Sequence, residues 1–392
     1  MDKFLYGNNK VGEMPKKESK KTVRAFAFAS FFNDMGSDII APIWPLFVTT
    51  FAGANMQVLG LIDGIGEAIV SISQAVSGYL SDRLKKRKFF IWLGYLFGGL
   101  SRIGYALSTA WQHLIPFRIL DRGGKIRNSP RDAIVADLSG KEKGKNFGFI
   151  RAFDNLGAVC GILISIFFLG FFGYKKMFLL AAIPSVIAVA IVLIFVKERK
   201  NHIKLHKGMS LKNLSPRLKV FLVSSSLFSL SAFSYSFLLI YAKNFGFKIA
   251  TIPVLYLVFT AVASATSIYF GKLSDKVGRK NILYLAYFFW IISCGAFIIL
   301  QSYFTIVLAF VFYGLHKGAF EPVQRAFVSE LSVPRFRAST LGGFQMVIGL
   351  IALPASFLAG ILWSKVSVSA PFYFAIGLTL MSMVILIFVK EK

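Results

Sequence analysis

Apolar stretches long enough to cross a bilayer recur along the chain, separated by brief polar connectors. Twelve are predicted as membrane-spanning helices, at roughly 24–49, 57–80, 89–109, 112–136, 147–170, 177–196, 218–242, 251–270, 281–300, 304–330, 338–363 and 370–389. Only helices suit this pattern, because each segment must satisfy its own backbone hydrogen bonds in hydrocarbon. A transmembrane barrel would need short alternating strands instead. The longest polar interior segment, 197–217, divides six spans from six. The expected plan is a tail (1–23), a six-helix bundle (24–196), a linker (197–217) and a second bundle (218–392). The fold class expected is an all-α membrane protein with two pseudo-symmetric halves.

A repeat supports that division. Gly78-Tyr-Leu-Ser-Asp82-Arg83-Leu-Lys-Lys-Arg87-Lys88 is echoed by Gly271-Lys-Leu-Ser-Asp275-Lys276-Val-Gly278-Arg279-Lys280, at an offset of 193 residues. Lys125, Pro130 and Gly157 recur as Lys317, Pro322 and Gly349, at an offset of 192. Repetition near half the chain length, punctuating apolar helices, points to a transporter built from two homologous halves.

Composition agrees: of 392 residues, 56% are hydrophobic and 16% aromatic, more apolar surface than a soluble chain of this length could hide. A net charge of +27 in a soluble protein would suggest nucleic acid. Its placement says otherwise. If the N-terminus is inside, the inner segments hold 31 Lys and Arg and the outer loops five, which places both termini in the cytoplasm of a multi-pass inner or plasma membrane protein. The basic excess then records topology and contact with anionic lipid, and no nucleic-acid partner is expected. The first 21 residues lack a signal peptide's short apolar core. Cys160 and Cys294 both lie inside apolar spans, so neither a disulfide nor a metal site is expected.

The chain resembles the major facilitator superfamily over essentially its whole length. That family's loop motif between spans two and three, Gly-x-x-x-Asp-Arg/Lys followed by a basic cluster, is matched by Gly78, Asp82, Arg83 and Arg87. The copy between spans eight and nine is matched by Gly271, Asp275, Lys276 and Arg279. Span four has Arg118 where the family commonly places an arginine facing a central cavity. The run Asp121-Arg122-Gly123-Gly124-Lys125-Ile-Arg127 through Pro130-Arg131-Asp132 resembles a widespread prokaryotic subgroup of permeases. Gly157-Ala-Val-Cys-Gly161 in span five resembles the start of the signature of family antiporters, with Ile162 where a proline is expected. The resemblance implies that Asp82 meets the start of span eleven and Asp275 the start of span five, forming an inner gate through the free N–H groups of those helix ends. Gly78 and Gly271 are expected where a helix end approaches its neighbour closely. Gly157 and Gly161 are expected at a helix-packing face.

Charges inside apolar spans are the strongest functional signal, since each is costly unless paired or wet. The candidates for a substrate and proton pathway are Asp34, Asp38, Asp63, Glu67, Arg118, Arg122, Lys125, Arg131, Arg151, Asp154, Lys317, Glu321 and Arg325. Helical spacing puts Asp34 with Asp38 on one face, and Asp63 with Glu67, Ser71 and Gln74 on another. It also aligns Arg118, Arg122, Lys125 and Asp132 on span four, and Lys317, Glu321 and Arg325 on span ten. Such faces should look at a water-filled cavity or at each other. Gly123-Gly124 and Pro130 are expected to bend span four. A carboxylate in a poorly hydrated cavity can load and release a proton as access alternates, whereas one beside an arginine serves packing. The basic stripe could instead bind an anion. Spans seven and eight add Ser224–Ser226, Ser229, Tyr235, Tyr241, Thr260 and Ser264 as contacts.

No phosphate-binding loop, metalloprotease motif or nucleophile elbow occurs, so neither an enzyme nor a cofactor is expected. The expectation is a monomeric secondary transporter exporting a drug-like or amphipathic small molecule, coupled to protons, with sodium coupling or plain facilitation as alternatives. Uptake or exchange of a small organic anion is the alternative. A transport-inactive sensor or lipid scramblase on the same scaffold is the alternative from another class.

Overall fold

The structure is a computed structural model that describes residues 16–84, 86–139, 143–198, 215–299, 302–333 and 337–391; the side chains of residues 16, 17, 82, 143, 144 and 337–339 are outside this description. Helices account for nearly all of it, and no strand occurs among the described residues. Each predicted span coincides with helix. The first is α1 (Lys16–Ile40) continued by α2 (Trp44–Leu46) and a π turn (Phe47–Phe51). The second and third are α3 (Met56–Leu84) and α4 (Arg87–Leu107). The fourth is broken: α5 (Trp111–Gly123) gives way to a 3-10 turn (Gly124–Arg127) before α6 (Asn128–Ser139). The fifth and sixth fall on either side of a kink in α7 (Lys143–Phe195). That kink is at Gly173, where a φ of 64° needs glycine although a Cβ would touch nothing.

The second half runs through α8 (Pro216–Ser231), α9 (Ser236–Phe245), α10 (Ile252–Val277), α11 (Arg279–Ile299), α12 (Tyr303–Leu331), α13 (Arg337–Lys365) and α14 (Ala370–Ile387). Starts are set by local chemistry. The Ser215 hydroxyl accepts from the Leu218 N–H at 3.3 Å, with Pro216 at the first helical position. Ser302 caps α12 through the Thr305 N–H at 3.1 Å. Among the described residues, length and composition alone qualify eight helices as membrane-crossing. One of these carries spans five and six; spans one, three and four fall short because charges or breaks interrupt them.

The surface is inverted relative to a soluble protein. Phe171 is 83% exposed and Phe304 77%, while Arg102 is 1% exposed. Large apolar side chains face outward as well as inward, and several charges are buried, which suits a hydrocarbon solvent. Arg102 is held by neutral acceptors that tie α1 and α7 to α4: Ala181 O at 2.8 Å, Asn33 O at 3.2 Å, the Ser37 hydroxyl at 2.8 Å and the Ser185 hydroxyl.

Glycine-lined contacts organise the bundle, two of them as follows. α1 lies along α7, where a Cβ on Gly157 would stand 2.2 Å from Phe31 O and one on Gly161 2.2 Å from Met35 O. α3 lies along α13 in the seam between the halves. A Cβ on Gly60 would reach 2.1 Å from Ser356 O, and on Gly64 2.7 Å from Leu353 O. From the other side, Gly349 faces Ser71 and Gly360 faces Met56. Small residues of this kind let two backbones touch, which is how helices gain packing energy in lipid. Gly161→Val is therefore expected to lose most of the folded, monodisperse protein in detergent. Gly170→Val, with nothing within 4 Å of its Cβ, should melt like the parent. Equal melting of the two variants would mean that α1 and α7 are not packed this closely.

Candidate functional site

A cavity of about 360 Å³ lies between the halves. Its charged lining is Asp63 and Glu67 from α3, Arg118 and Arg122 from α5, and Lys317 from α12. The neutral lining comes largely from the second half: the hydroxyls of Ser225, Ser229, Ser234 and Tyr235, and the Gln324 amide. Phe228, Phe233, Tyr313 and Phe320 form its aromatic wall.

Asp63 is buried and saturated. Its Oδ1 accepts from Arg118 Nη2 at 2.8 Å and from the Trp44 indole at 2.8 Å. Its Oδ2 accepts from the Ser234 hydroxyl at 2.7 Å and the Ser236 hydroxyl at 2.5 Å. Four donors fill a carboxylate's lone pairs. The Arg118 guanidinium carbon also lies 4.2 Å from the centre of the Trp44 ring, an attractive cation–π placement. Because Ser234 lies in the break between α8 and α9 and Ser236 opens α9, this node joins the two halves. A lesser link is nearby: the Tyr256 hydroxyl donates to Asp38 at 3.2 Å.

Glu67, one turn along α3, is different. It is exposed into the cavity and has no ion-pair partner within 4.0 Å among the described residues. The neighbouring Gly66 makes room for two arginines: a Cβ there would stand 3.2 Å from Arg118 Nε and 3.3 Å from Arg122 Cγ. Arg122 Nε approaches Asp121 at 3.7 Å, too far for a hydrogen bond, and is a buried donor without an acceptor. Lys317 donates to Glu321 at 3.3 Å and lies over the Tyr313 ring.

Five of the thirteen predicted pathway residues thus line the cavity, and eight do not. Asp34 accepts from the Asn33 amide at 2.8 Å, and Asp38 is taken up by Tyr256. Lys125 sits in the 3-10 turn, which breaks the stripe expected to continue from Arg118 and Arg122. Helical spacing cannot be carried across a change of helix type. Arg131 donates to the Ser30 hydroxyl at 2.6 Å and to Asp132 at 3.0 Å. The Arg151 side chain is 66% exposed, 3.6 Å from buried Asp154. Glu321 and Arg325 are exposed outside the lining. On α3, Ser71 faces Gly349, and the Gln74 carbonyl accepts from Ser129 at 2.9 Å, so only the first half of that predicted face reaches the cavity.

The repeated motif differs from expectation in its glycines. A Cβ on Gly78 would meet Ser129 at an ordinary 3.5 Å, and one on Gly271 would meet nothing. Neither marks the close approach predicted for it; close approaches are found instead at other glycines, among them Gly60 and Gly64 of α3, Gly360 of α13, and Gly157 and Gly161 of α7. Arg87 donates to Asp137 at 2.7 Å, while Arg279 bridges Asp275 and, at 3.6 Å, Glu330. Arg83 and Lys276 are exposed. The side chain of Asp82 and residues 334–336 lie outside the described residues, and with them the contact expected between Asp82 and the start of span eleven. The residues that sequence reasoning overlooked are Trp44, Ser234, Ser236 and Gln324. A glutamine inside an apolar span was the available signal for the last.

The family profile described as Major Facilitator Superfamily matches residues 26–242 and 220–392. The chain belongs to the Major Facilitator Superfamily. Among relatives, it is 38% identical over 386 residues to the MFS-type transporter MJ1317 of Methanocaldococcus jannaschii, covering 95% of this chain and 96% of that one. It is 25% identical to the multi-drug resistance efflux pump PmrA of Streptococcus pneumoniae, over 84% of this chain and 85% of the pump. The fold is that of a crystallised mutant of the nucleoside transporter NupG, with a TM-score of 0.81 over 94% of this chain and all of the other, at 14% identity. This superfamily member is thus a multi-pass membrane transporter and not an enzyme.

Proposed function

We propose that the chain exports an amphipathic small molecule in exchange for protons, by alternating access to the cavity, with Glu67 as the coupling carboxylate. One observation carries the assignment: Glu67 is the only acid lining the cavity without an ion pair among the described residues. A carboxylate that must take and release protons needs water and freedom from a permanent counter-charge, which Asp63 lacks. The export direction is supported by the similarity to PmrA and to multidrug resistance protein 2 of Bacillus subtilis, at 26% identity over 91% of this chain. Action as a monomer in the plasma membrane is part of the same reading, and the distribution of Lys and Arg supports placing both termini in the cytoplasm.

The test is a screen for stabilising ligands, by melting temperature at two pH values, followed by flux of the best ligand in proteoliposomes under an imposed pH gradient. Uphill movement towards the acidic side is expected. Uphill movement away from it would favour uptake of an organic anion, the second reading, which Arg122 Nε supports as an unanswered donor. No flux in either direction would leave a sensor or scramblase.

A further inference from the structure

Several buried polar atoms without a hydrogen-bond partner gather at this cavity, and they have one chemistry. Arg122 Nε and Gln324 Nε2 are donors, and the Ser225 hydroxyl can donate. Gln324 is 5% exposed and Ser225 fully buried, so bulk water does not answer them freely. They come from α5, α12 and α8, three walls of one space. An unanswered buried donor costs free energy until an acceptor arrives, so these atoms favour a ligand oxygen with negative charge or strong acceptor character. Glu67 faces the same space with the opposite demand.

An aromatic recess opens off the cavity. About 50 Å³ in volume, it shares Phe228, Phe233, Tyr313, Phe320 and the Lys317 side chain with the main space and adds Trp290 and His316. Its rings are mutually packed: Phe228 and Phe320 have centroids 4.7 Å apart, Trp290 and Tyr313 5.6 Å. The His316 Nδ1 pairs with Ala286 O at 2.8 Å, which fixes the imidazole in the wall.

We infer that the cavity selects zwitterionic ring compounds: an ammonium at Glu67, a carboxylate or equivalent acceptor at Arg122, Gln324 and Ser225, and a planar ring against Phe228, Tyr313 and Phe320. A space of 360 Å³ is roughly 9 Å across if spherical, so two charges a few bonds apart reach both walls. Each simpler ligand leaves something unanswered. An anion alone meets Glu67 as a like charge, a cation alone leaves the donors empty, and a neutral ring leaves both. Sites built around buried polar groups reject analogues that lack the matching group most strongly. The inference rests on the reading of Glu67 as the exchanging acid: an ammonium and a proton then compete for one carboxylate, which is what antiport requires.

The test is isothermal titration of the purified full chain with L-tryptophan, tryptamine, indole-3-propionate and 3-methylindole at neutral pH, with no gradient. Tryptophan should bind at least about tenfold more tightly than either singly charged probe, and 3-methylindole weakest. Glu67→Gln should erase the advantage of tryptophan over indole-3-propionate, and Arg122→Gln its advantage over tryptamine. A singly charged probe that equals or beats tryptophan overturns the inference without any variant, as does the failure of all four to saturate below about 10 mM. The two readings fail separately. Coupled flux with no zwitterion preference sinks the ligand class alone, and zwitterion preference with no gradient-dependent flux sinks proton exchange alone.

Discussion

Glu67→Gln is expected to collapse concentrative transport while leaving the protein folded. A difference of about two pH units is worth roughly 2.7 kcal/mol per proton and sustains about a 100-fold substrate ratio in one-for-one exchange. Without a titrating group the ratio should fall to about 1 at saturating substrate, with downhill equilibration retained. The substitution should not unfold the chain, because Glu67 is exposed into the cavity and holds no ion pair among the described residues. Ratiometric flux in proteoliposomes, with melting temperature as a folding check, decides it. A variant that still builds the full gradient would move coupling to another acid, Asp38 first, since its Tyr256 contact also crosses between the halves.

The second large effect is at Asp63. Asp63→Asn removes the countercharge of Arg118 while the guanidinium stays buried, and breaking such a pair costs about 3–5 kcal/mol. A melting temperature lower by on the order of 10 °C is expected. Asp63→Leu combined with Arg118→Met should melt above Asp63→Asn, because an apolar pair leaves no stranded charge. The recovery should be partial, as Trp44, Ser234 and Ser236 still lose their acceptor. If the separate losses of Asp63→Leu and Arg118→Met add up to that of the double variant, Asp63 and Arg118 do not interact.

Much of the architecture was legible in the sequence, because spans and repeat follow from hydropathy and spacing, which do not depend on tertiary detail. Span four shows where that ends. Its charges were placed on one stripe by assuming a single helix, but the 3-10 turn at Gly124–Arg127 rotates Lys125 out of register with Arg118. Gly123-Gly124 announced a disturbance and not its form. The candidate site was half legible. Acids and bases in apolar spans are easily seen, but whether one is free or locked depends on partners far along the chain. Asp63 and Glu67 look alike in sequence, four residues apart. Trp44 and the serines at 234 and 236 make one a fixture and leave the other open. The glycines illustrate the same limit: Gly157 and Gly161 lie at the close packing expected of them, whereas Gly78 and Gly271 in the repeated motif do not, and the contacts of Gly60 and Gly64 depend on which helices become neighbours.

The seam of α3 against α13 has one more implication. Its contacts at Gly60, Gly64, Gly349 and Gly360 are mostly main chain against main chain, with no ionisable group at the points of touch. Attraction of that kind is indifferent to acidity, ionic strength and membrane voltage. Sensitivity of the halves' closure to those variables must therefore enter elsewhere, and among the described residues the acids bridging the halves are Asp38 and Asp63. The protein thus combines a neutral, shape-matched zipper with a pair of charged rivets, and an energised membrane can act on the rivets and on Glu67 but not on the zipper.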